Sequence, residues 1–260
     1  MKNIPVVIMC GGTGTRLREM TEFLPKPLVQ IGGKPLVWHI MKIYAHYGFN
    51  NFVLALGYKQ EVFKEYFAHF HEVNNDVTFG VGRNPYILWP ECPQWDWTVT
   101  LSDTGANTLK SARLKRIEKY IHEDVFMCTY GDGLSDIDLN ELLKFHRGHG
   151  KIATITGVHP APRFGEIHHE GGVVRVFMEK PGNPLLMNGG FMVFNRGIFG
   201  YLSDDNQCDL ETTVFNRLIE DEQLMVFSHS GFWKCCDTLK DMEELRDMWE
   251  SGTPKWRIWQ

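Results

Sequence analysis

Residues 4–10, Ile-Pro-Val-Val-Ile-Met-Cys, form an apolar run that leads directly into Gly11-Gly12-Thr13-Gly14-Thr15-Arg16-Leu17. A buried strand that ends in a glycine-rich turn admits few folds: it predicts the first strand of an α/β sheet with the turn at its ligand-binding edge. Glycines at 11, 12 and 14 let the backbone bend tightly and aim several N–H groups at one oxyanion. Arg16 adds a planar fork of donors, and Lys26, within Pro25-Lys26-Pro27, adds a compact positive charge. A polyphosphate suits such a loop. The glycines do not form a dinucleotide fingerprint, because Leu17 stands where the third glycine is needed, and none is followed by the Gly-Lys-Ser/Thr of a P-loop.

The phosphate site is a local feature of a mildly acidic body. The chain's 260 residues carry a net charge of −5, which argues against a general nucleic-acid or anionic-membrane binder. No apolar stretch approaches the length of a membrane span, and no cleavable leader is evident ahead of the first strand. Six cysteines, at 10, 92, 128, 208, 235 and 236, show no Cys-x-x-Cys spacing, so reduced thiols in a cytoplasm are expected. Cys235 and Cys236 adjoin on an extended segment, where neighbouring side chains face opposite ways, and are expected to stay unpaired.

Strands and helices alternate along the chain with short connections. Strands are predicted at 4–10, 52–56, 77–81, 97–102, 125–130, 152–158 and 224–228. Helices are predicted after Pro35 up to Gly48, and at 61–70, 112–121, 138–148, 212–221 and 238–249. Residues 82–97, rich in proline and tryptophan, read as an excursion loop. From 164 to 195 the texture shifts to short strands and glycine turns, an antiparallel sub-region. The fold class expected is therefore α/β, a Rossmann-like, mostly parallel sheet flanked by helices, with a small antiparallel insert.

Asp132 follows the apolar strand 125–130 within Gly131-Asp132-Gly133, at the sheet edge where ligands of open α/β folds bind. It reads either as a metal-binding carboxylate or as a plain Asp-Gly turn. Asp237 stands between an apolar strand and a helix, and reads as a second metal ligand or as an N-cap. Asp136 and Asp138 read as solvated or capping acids. Magnesium takes one or two protein carboxylates plus phosphate oxygens and water, so two aspartates would suffice. Lys180, in Glu179-Lys180-Pro181, can take a monophosphate as a point charge, and Asn188, before Gly189-Gly190, offers an amide to sugar hydroxyls. His146, His149, His168 and His169 lack a third metal partner and are expected at the surface. The tail tryptophans Trp249, Trp256 and Trp259 are expected to pack on the body or on another subunit.

Taken together, these stretches resemble the sugar-phosphate nucleotidylyltransferases over essentially the whole chain. The resemblance rests on Gly11–Leu17, Pro25-Lys26-Pro27, Ile31–Lys42, Asp103-Thr104-Gly105, Tyr130-Gly131-Asp132-Gly133, Arg163-Phe164-Gly165, Glu179-Lys180-Pro181, Asn188-Gly189-Gly190-Phe191, Gly231-Phe232-Trp233 and Asp237-Thr238-Leu239. Trp38-His39-Ile40-Met41-Lys42 and Tyr130-Gly131-Asp132-Gly133 point to the cytidylyl branch. Leu24, Lys110-Ser111-Ala112, Thr213-Val214 and Cys235-Cys236 depart from that branch's pattern, and the change near 111 bears on the nucleotide side.

The resemblance implies one nucleotidyltransferase domain over 1–260, with a nucleotide half at about 1–130, a sugar-phosphate half at about 131–240 and a C-terminal helix and tail at 241–260. It implies transfer of a cytidylyl group from CTP to α-D-glucose 1-phosphate. Uridylyl or thymidylyl transfer is the near alternative, and a non-catalytic nucleotide-sugar sensor the distant one. Arg16 and Lys26 would be catalytic. Gly11, Gly12, Thr13, Gly14, Thr15, Thr104 and Arg113 would join them in binding nucleotide. Tyr130, Gly131, Glu179, Lys180, Asn188 and Gly189 would bind the sugar phosphate, and Asp132 with Asp237 would hold Mg²⁺. A homo-oligomer that binds neither nucleic acid nor membrane is also implied.

Overall fold

The computed structural model describes residues 4–14, 24–81, 86–89, 96–159, 166–178 and 186–259. The apolar runs assemble into one seven-stranded sheet: β1 (Val6–Cys10), β2 (Asn51–Leu56), β3 (Thr98–Asp103), β4 (Val125–Tyr130), β5 (Ala153–Val158), β6 (Met187–Asn195) and β7 (Leu224–His229). Their spatial order is β7-β5-β6-β4-β1-β2-β3. Only β6 runs against the others, pairing antiparallel with both β4 and β5. The expected mostly parallel sheet is therefore present.

Every residue of β1 is buried, as a central strand covered on both faces requires. Val6, Ile8 and Cys10 enter one core and Val7 and Met9 the other, following the two-residue alternation of a strand. Helix α1 (Leu36–His46) fills the first core with Leu36, Ile40, Ile43 and Tyr44. Helix α2 (Gln60–Ala68) contributes Phe63 to the same core. The second is closed by Leu114 of helix α3 (Lys110–Arg116) together with Ile117, Leu210 and Leu218.

The strand order reverses at β1. The chain moves out through β2 and β3, then returns to place β4 on the other side of β1. A crevice at the carboxyl ends of such strands is where an open α/β sheet binds its ligand. Gly11, Gly12, Gly14 and Gly131, at the carboxyl ends of β1 and β4, line it.

Local structure departs from expectation in a few places. Within the expected excursion loop, Tyr86–Trp89 forms a strand that pairs antiparallel with Asp76–Phe79, since aromatic and branched residues favour an extended chain even between prolines. The expected helix 112–121 starts earlier, at Lys110, and tightens after Arg116 into the 3₁₀ turn Glu118–Tyr120, which lets Ile117 and Ile121 both reach the core. His146, on helix α4 (Leu139–His149), is not at the surface: it is 1% exposed. Its Nδ1 lies 2.9 Å from Thr154 Oγ1 and its Nε2 3.2 Å from Asn195 Oδ1. A polar pocket of this kind leaves no trace in helical spacing.

Helix α5 (Leu239–Glu250) opens with a capping box between Thr238 and Asp241, so Thr238, not Asp237, is its N-cap. Asp138 caps α4 through Asn140 N and Glu141 N, as expected. Beyond α5 the tail folds back on the body. Trp256 is fully buried, and its indole N–H donates to His39 Nδ1 at 3.4 Å. Trp38, Trp249 and Trp259 complete the ring cage around His39.

Candidate active site

Lys26 begins the short turn Lys26–Leu28, with Pro25 before it and Pro27 after it. Both prolines fix their own φ angles, so the lysine is presented on a stiff segment. Pro27 packs against Gly131: a Cβ there would lie 2.8 Å from Pro27 Cγ and 2.9 Å from Met9 O. That close approach explains the glycine ahead of Asp132 and brings the Lys26 turn onto the end of β4.

Asp237 reaches the same point by a different route. Gly133–Ser135 pairs antiparallel with Trp233–Cys235, and the Cys236 N–H donates to Asp132 O at 2.9 Å. This small ribbon carries Asp237 alongside Asp132. The Lys26 ammonium then donates to Asp132 Oδ2 at 2.7 Å and to Asp237 Oδ1 at 2.5 Å. Burial by itself lowers the lysine's pKa, but the Asp132 charge and hydrogen bonds to both carboxylates outweigh it and leave the pKa raised. With its side chain 12% exposed, Lys26 is a fixed cation at neutral pH.

Two carboxylates and one ammonium leave a net negative charge at the centre. A polyphosphate approaching it needs further positive charge, and the pair of aspartates matches what a hard divalent ion takes from a protein. Among the described residues no group of three or more His, Cys, Asp and Glu forms an all-protein metal cage. Asp132 and Asp237 together offer two carboxylates, the number that a magnesium ion can take from a protein when phosphate and water oxygens complete its shell.

A cavity of about 370 Å³ opens beside this centre, with Lys26, Gly131 and Asp132 in one part of its wall. Gly11, Gly12 and Gly14 of the glycine turn also line it, as do Arg113, Tyr130 and Lys110. Gly14 has φ +62°, a backbone state that only glycine enters freely. Thr13, in the same turn, is exposed.

Arg113 is 5% exposed and its guanidinium sits in a socket of carbonyls. It donates to Leu56 O at 3.1 Å, Gly105 O at 2.7 Å, Gly11 O at 2.9 Å and Ala106 O at 3.2 Å, and to Thr104 Oγ1 at 2.8 Å. Thr104, buried beneath, donates to Leu56 O. Gly11 and Gly57 are glycines because a Cβ on either would strike this guanidinium. Arg113 thus ties the glycine turn to the ends of β2 and β3. Burial lowers its pKa, and it places positive charge under the cavity floor.

On the other side, the Tyr130 hydroxyl donates to Glu211 Oε1, and Asn188 Nδ2 donates to the Tyr130 oxygen at 3.4 Å. Burial, then the Glu211 charge, pushes the Tyr130 pKa far above that of a free phenol. Gly189 does not line the cavity; its carbonyl accepts from Trp233 Nε1 at 2.7 Å. Thr15, Arg16, Glu179 and Lys180 lie outside the described residues. Glu211 had no distinguishing sequence signal, since its partners come from distant parts of the chain.

Residues 5–251 match the family model described as nucleotidyl transferase. The chain is similar to the glucose-1-phosphate cytidylyltransferases of Salmonella typhi and Salmonella typhimurium, each 43% identical over 256 residues, 98% of this chain and 99% of the relative. Among solved structures it resembles the inositol-1-phosphate CTP transferase of T. maritima, with a TM-score of 0.67 at 14% identity over 99% of this chain and 98% of the other. At that identity the likeness speaks to the fold alone.

Proposed function

We propose that this chain, which belongs to the nucleotidyl transferase family, transfers a cytidylyl group from CTP to α-D-glucose 1-phosphate and releases pyrophosphate. The observation that carries the reading is the convergence of Lys26 with Asp132 and Asp237 beside a cavity walled by the glycine turn. The choice of CTP and glucose 1-phosphate rests on the full-length likeness to the Salmonella cytidylyltransferases.

An oxygen of the sugar phosphate attacks the α-phosphorus of CTP. As that bond forms, the bond from the α-phosphorus to the oxygen bridging to the β-phosphorus breaks, and pyrophosphate leaves with its electron pair. The attacking oxygen is already ionised at neutral pH, so no general base is needed. The obstacle is repulsion between two anions, and catalysis of this type consists of positioning and charge stabilisation. Lys26 offers its ammonium to phosphate oxygens from a rigid turn. Glycine N–H groups cradle the polyphosphate, and Arg113 holds the glycine turn in register from below. Asp132 and Asp237 would hold Mg²⁺, which supplies charge neutralisation at the phosphates when bound. Arg16 and Lys180 are assigned to the triphosphate and the sugar phosphate from sequence alone.

The same reading carries a cytoplasmic enzyme and a homo-oligomer. Among the described residues no helix is long and apolar enough to cross a membrane. The test is pyrophosphate release with glucose 1-phosphate and each of CTP, UTP, dTTP, ATP and GTP. CTP is expected to be used fastest. Preference for UTP or dTTP would move the assignment to another base, and no release with any nucleotide would remove the enzymatic reading.

A further inference from the structure

Lys110 forms part of the cavity wall, yet none of the roles assigned above uses it. It begins helix α3, in the nucleotide half, and reaches across to the sugar-phosphate half. Its ammonium lies 2.7 Å from Glu211 Oε1, 3.7 Å from Asp209 Oδ1 and 5.5 Å from the centre of the Tyr130 ring. Tyr130 directly precedes Gly131-Asp132, so this second cation stands close to the Lys26 centre.

The pairing with Glu211 leaves Lys110 free to turn to a ligand. The lysine side chain is 38% exposed and that of Glu211 28%, so solvent reaches the pair and screens it. Glu211 Oε1 receives both the Lys110 ammonium and the Tyr130 hydroxyl, so the oxygen keeps one donor if the lysine moves away. The other oxygen, Oε2, is buried without a hydrogen-bond partner. Glu211 belongs to a π-helical turn, Leu210–Val214, an irregularity frequent at functional sites. A lysine so placed takes an oxyanion as a point charge rather than through a fixed fork.

Resting on the proposed reaction, we propose that Lys110 is a further substrate-binding residue whose ammonium leaves Glu211 to bind a phosphate oxygen of the reactants. The junction it spans is where the two substrates' phosphates must meet. The phosphate belongs either to CTP or to the sugar phosphate, and direct binding separates the two.

Binding of CTP, glucose 1-phosphate, pyrophosphate and cytidine, each alone, would be measured by calorimetry for the wild-type chain, Lys110→Ala and Lys110→Arg. Lys110→Ala is expected to weaken at least one phosphorylated ligand roughly ten-fold, the scale of one charge-assisted hydrogen bond, with cytidine unchanged and Lys110→Arg largely restored. Weakening confined to CTP and pyrophosphate places the ammonium on the triphosphate; weakening confined to glucose 1-phosphate places it on the sugar phosphate. Equal binding of all ligands by Lys110→Ala, or an equal loss for cytidine, would overturn the inference. A wild-type chain that bound neither CTP nor glucose 1-phosphate would refute the proposed reaction instead, and pyrophosphate binding would still decide the role of Lys110.

Discussion

The Lys26 ammonium lies 2.5 Å from Asp237 Oδ1, although the two residues are 211 positions apart in the chain. The contact depends on two rigid supports, the proline-flanked turn at Lys26 and the ribbon that joins Trp233–Cys235 to Gly133–Ser135. A lysine held between two aspartates supplies one positive charge to a centre that stays net negative, and phosphates bound there need more.

Removing one carboxylate tests the second half of that statement. Asp132→Asn is expected to raise the magnesium concentration for half-maximal activity and to lower the rate at saturation, and Asp237→Asn is expected to do the same. A titration of activity against Mg²⁺, with a chelator-treated control, measures both. Activity indifferent to chelator would contradict the metal roles of Asp132 and Asp237.

Arg113→Met should act on stability and nucleotide binding together. The substitution strips a donor from the carbonyls of Gly105 and Ala106, while Gly11 O keeps the Tyr58 N–H and Leu56 O keeps the Thr104 N–H and hydroxyl, and a buried carbonyl left unsatisfied costs about 1–3 kcal/mol. A loss of about 3 kcal/mol in urea unfolding, with a raised KM for CTP, is the expected outcome. An unchanged KM for CTP would show that the socket does not shape the nucleotide site.

His39 gives the fold an acid-sensitive point. Burial in the tryptophan cage lowers its pKa to about 4. The folded state thus keeps the ring neutral between pH 6.5 and 4, while the unfolded chain takes up the proton, so stability is intact above pH 6.5 and falls as pH drops. Unfolding free energy should fall by about 2 kcal/mol from pH 7 to pH 5 through this group alone. His39→Gln is expected to flatten that slope; an equally steep slope in the variant would assign the effect elsewhere.

The order and type of the main elements were legible because they depend on local pattern. The apolar run into Gly11–Gly14 specifies a buried strand and its turn within eleven residues of sequence, and the structure places both at the crevice beside β1. Asp132 and Asp237 as a pair were legible only through family resemblance. Nothing near either residue announces the antiparallel ribbon that joins them. The carbonyl socket of Arg113 and the link from Lys110 to Glu211 were not legible, because each depends on parts of the chain about a hundred residues apart meeting in the fold. His146 shows the same limit: a histidine on a polar-looking helix is buried because Thr154 and Asn195 supply partners from β5 and β6.

The most direct test of the account is the turnover of Lys26→Ala with CTP and glucose 1-phosphate, measured alongside its thermal unfolding. A fall of roughly 10²–10³-fold with the folded state retained is predicted, the scale of losing one preorganised charge partner in phosphoryl chemistry. Turnover at the wild-type level in a folded Lys26→Ala chain would contradict it.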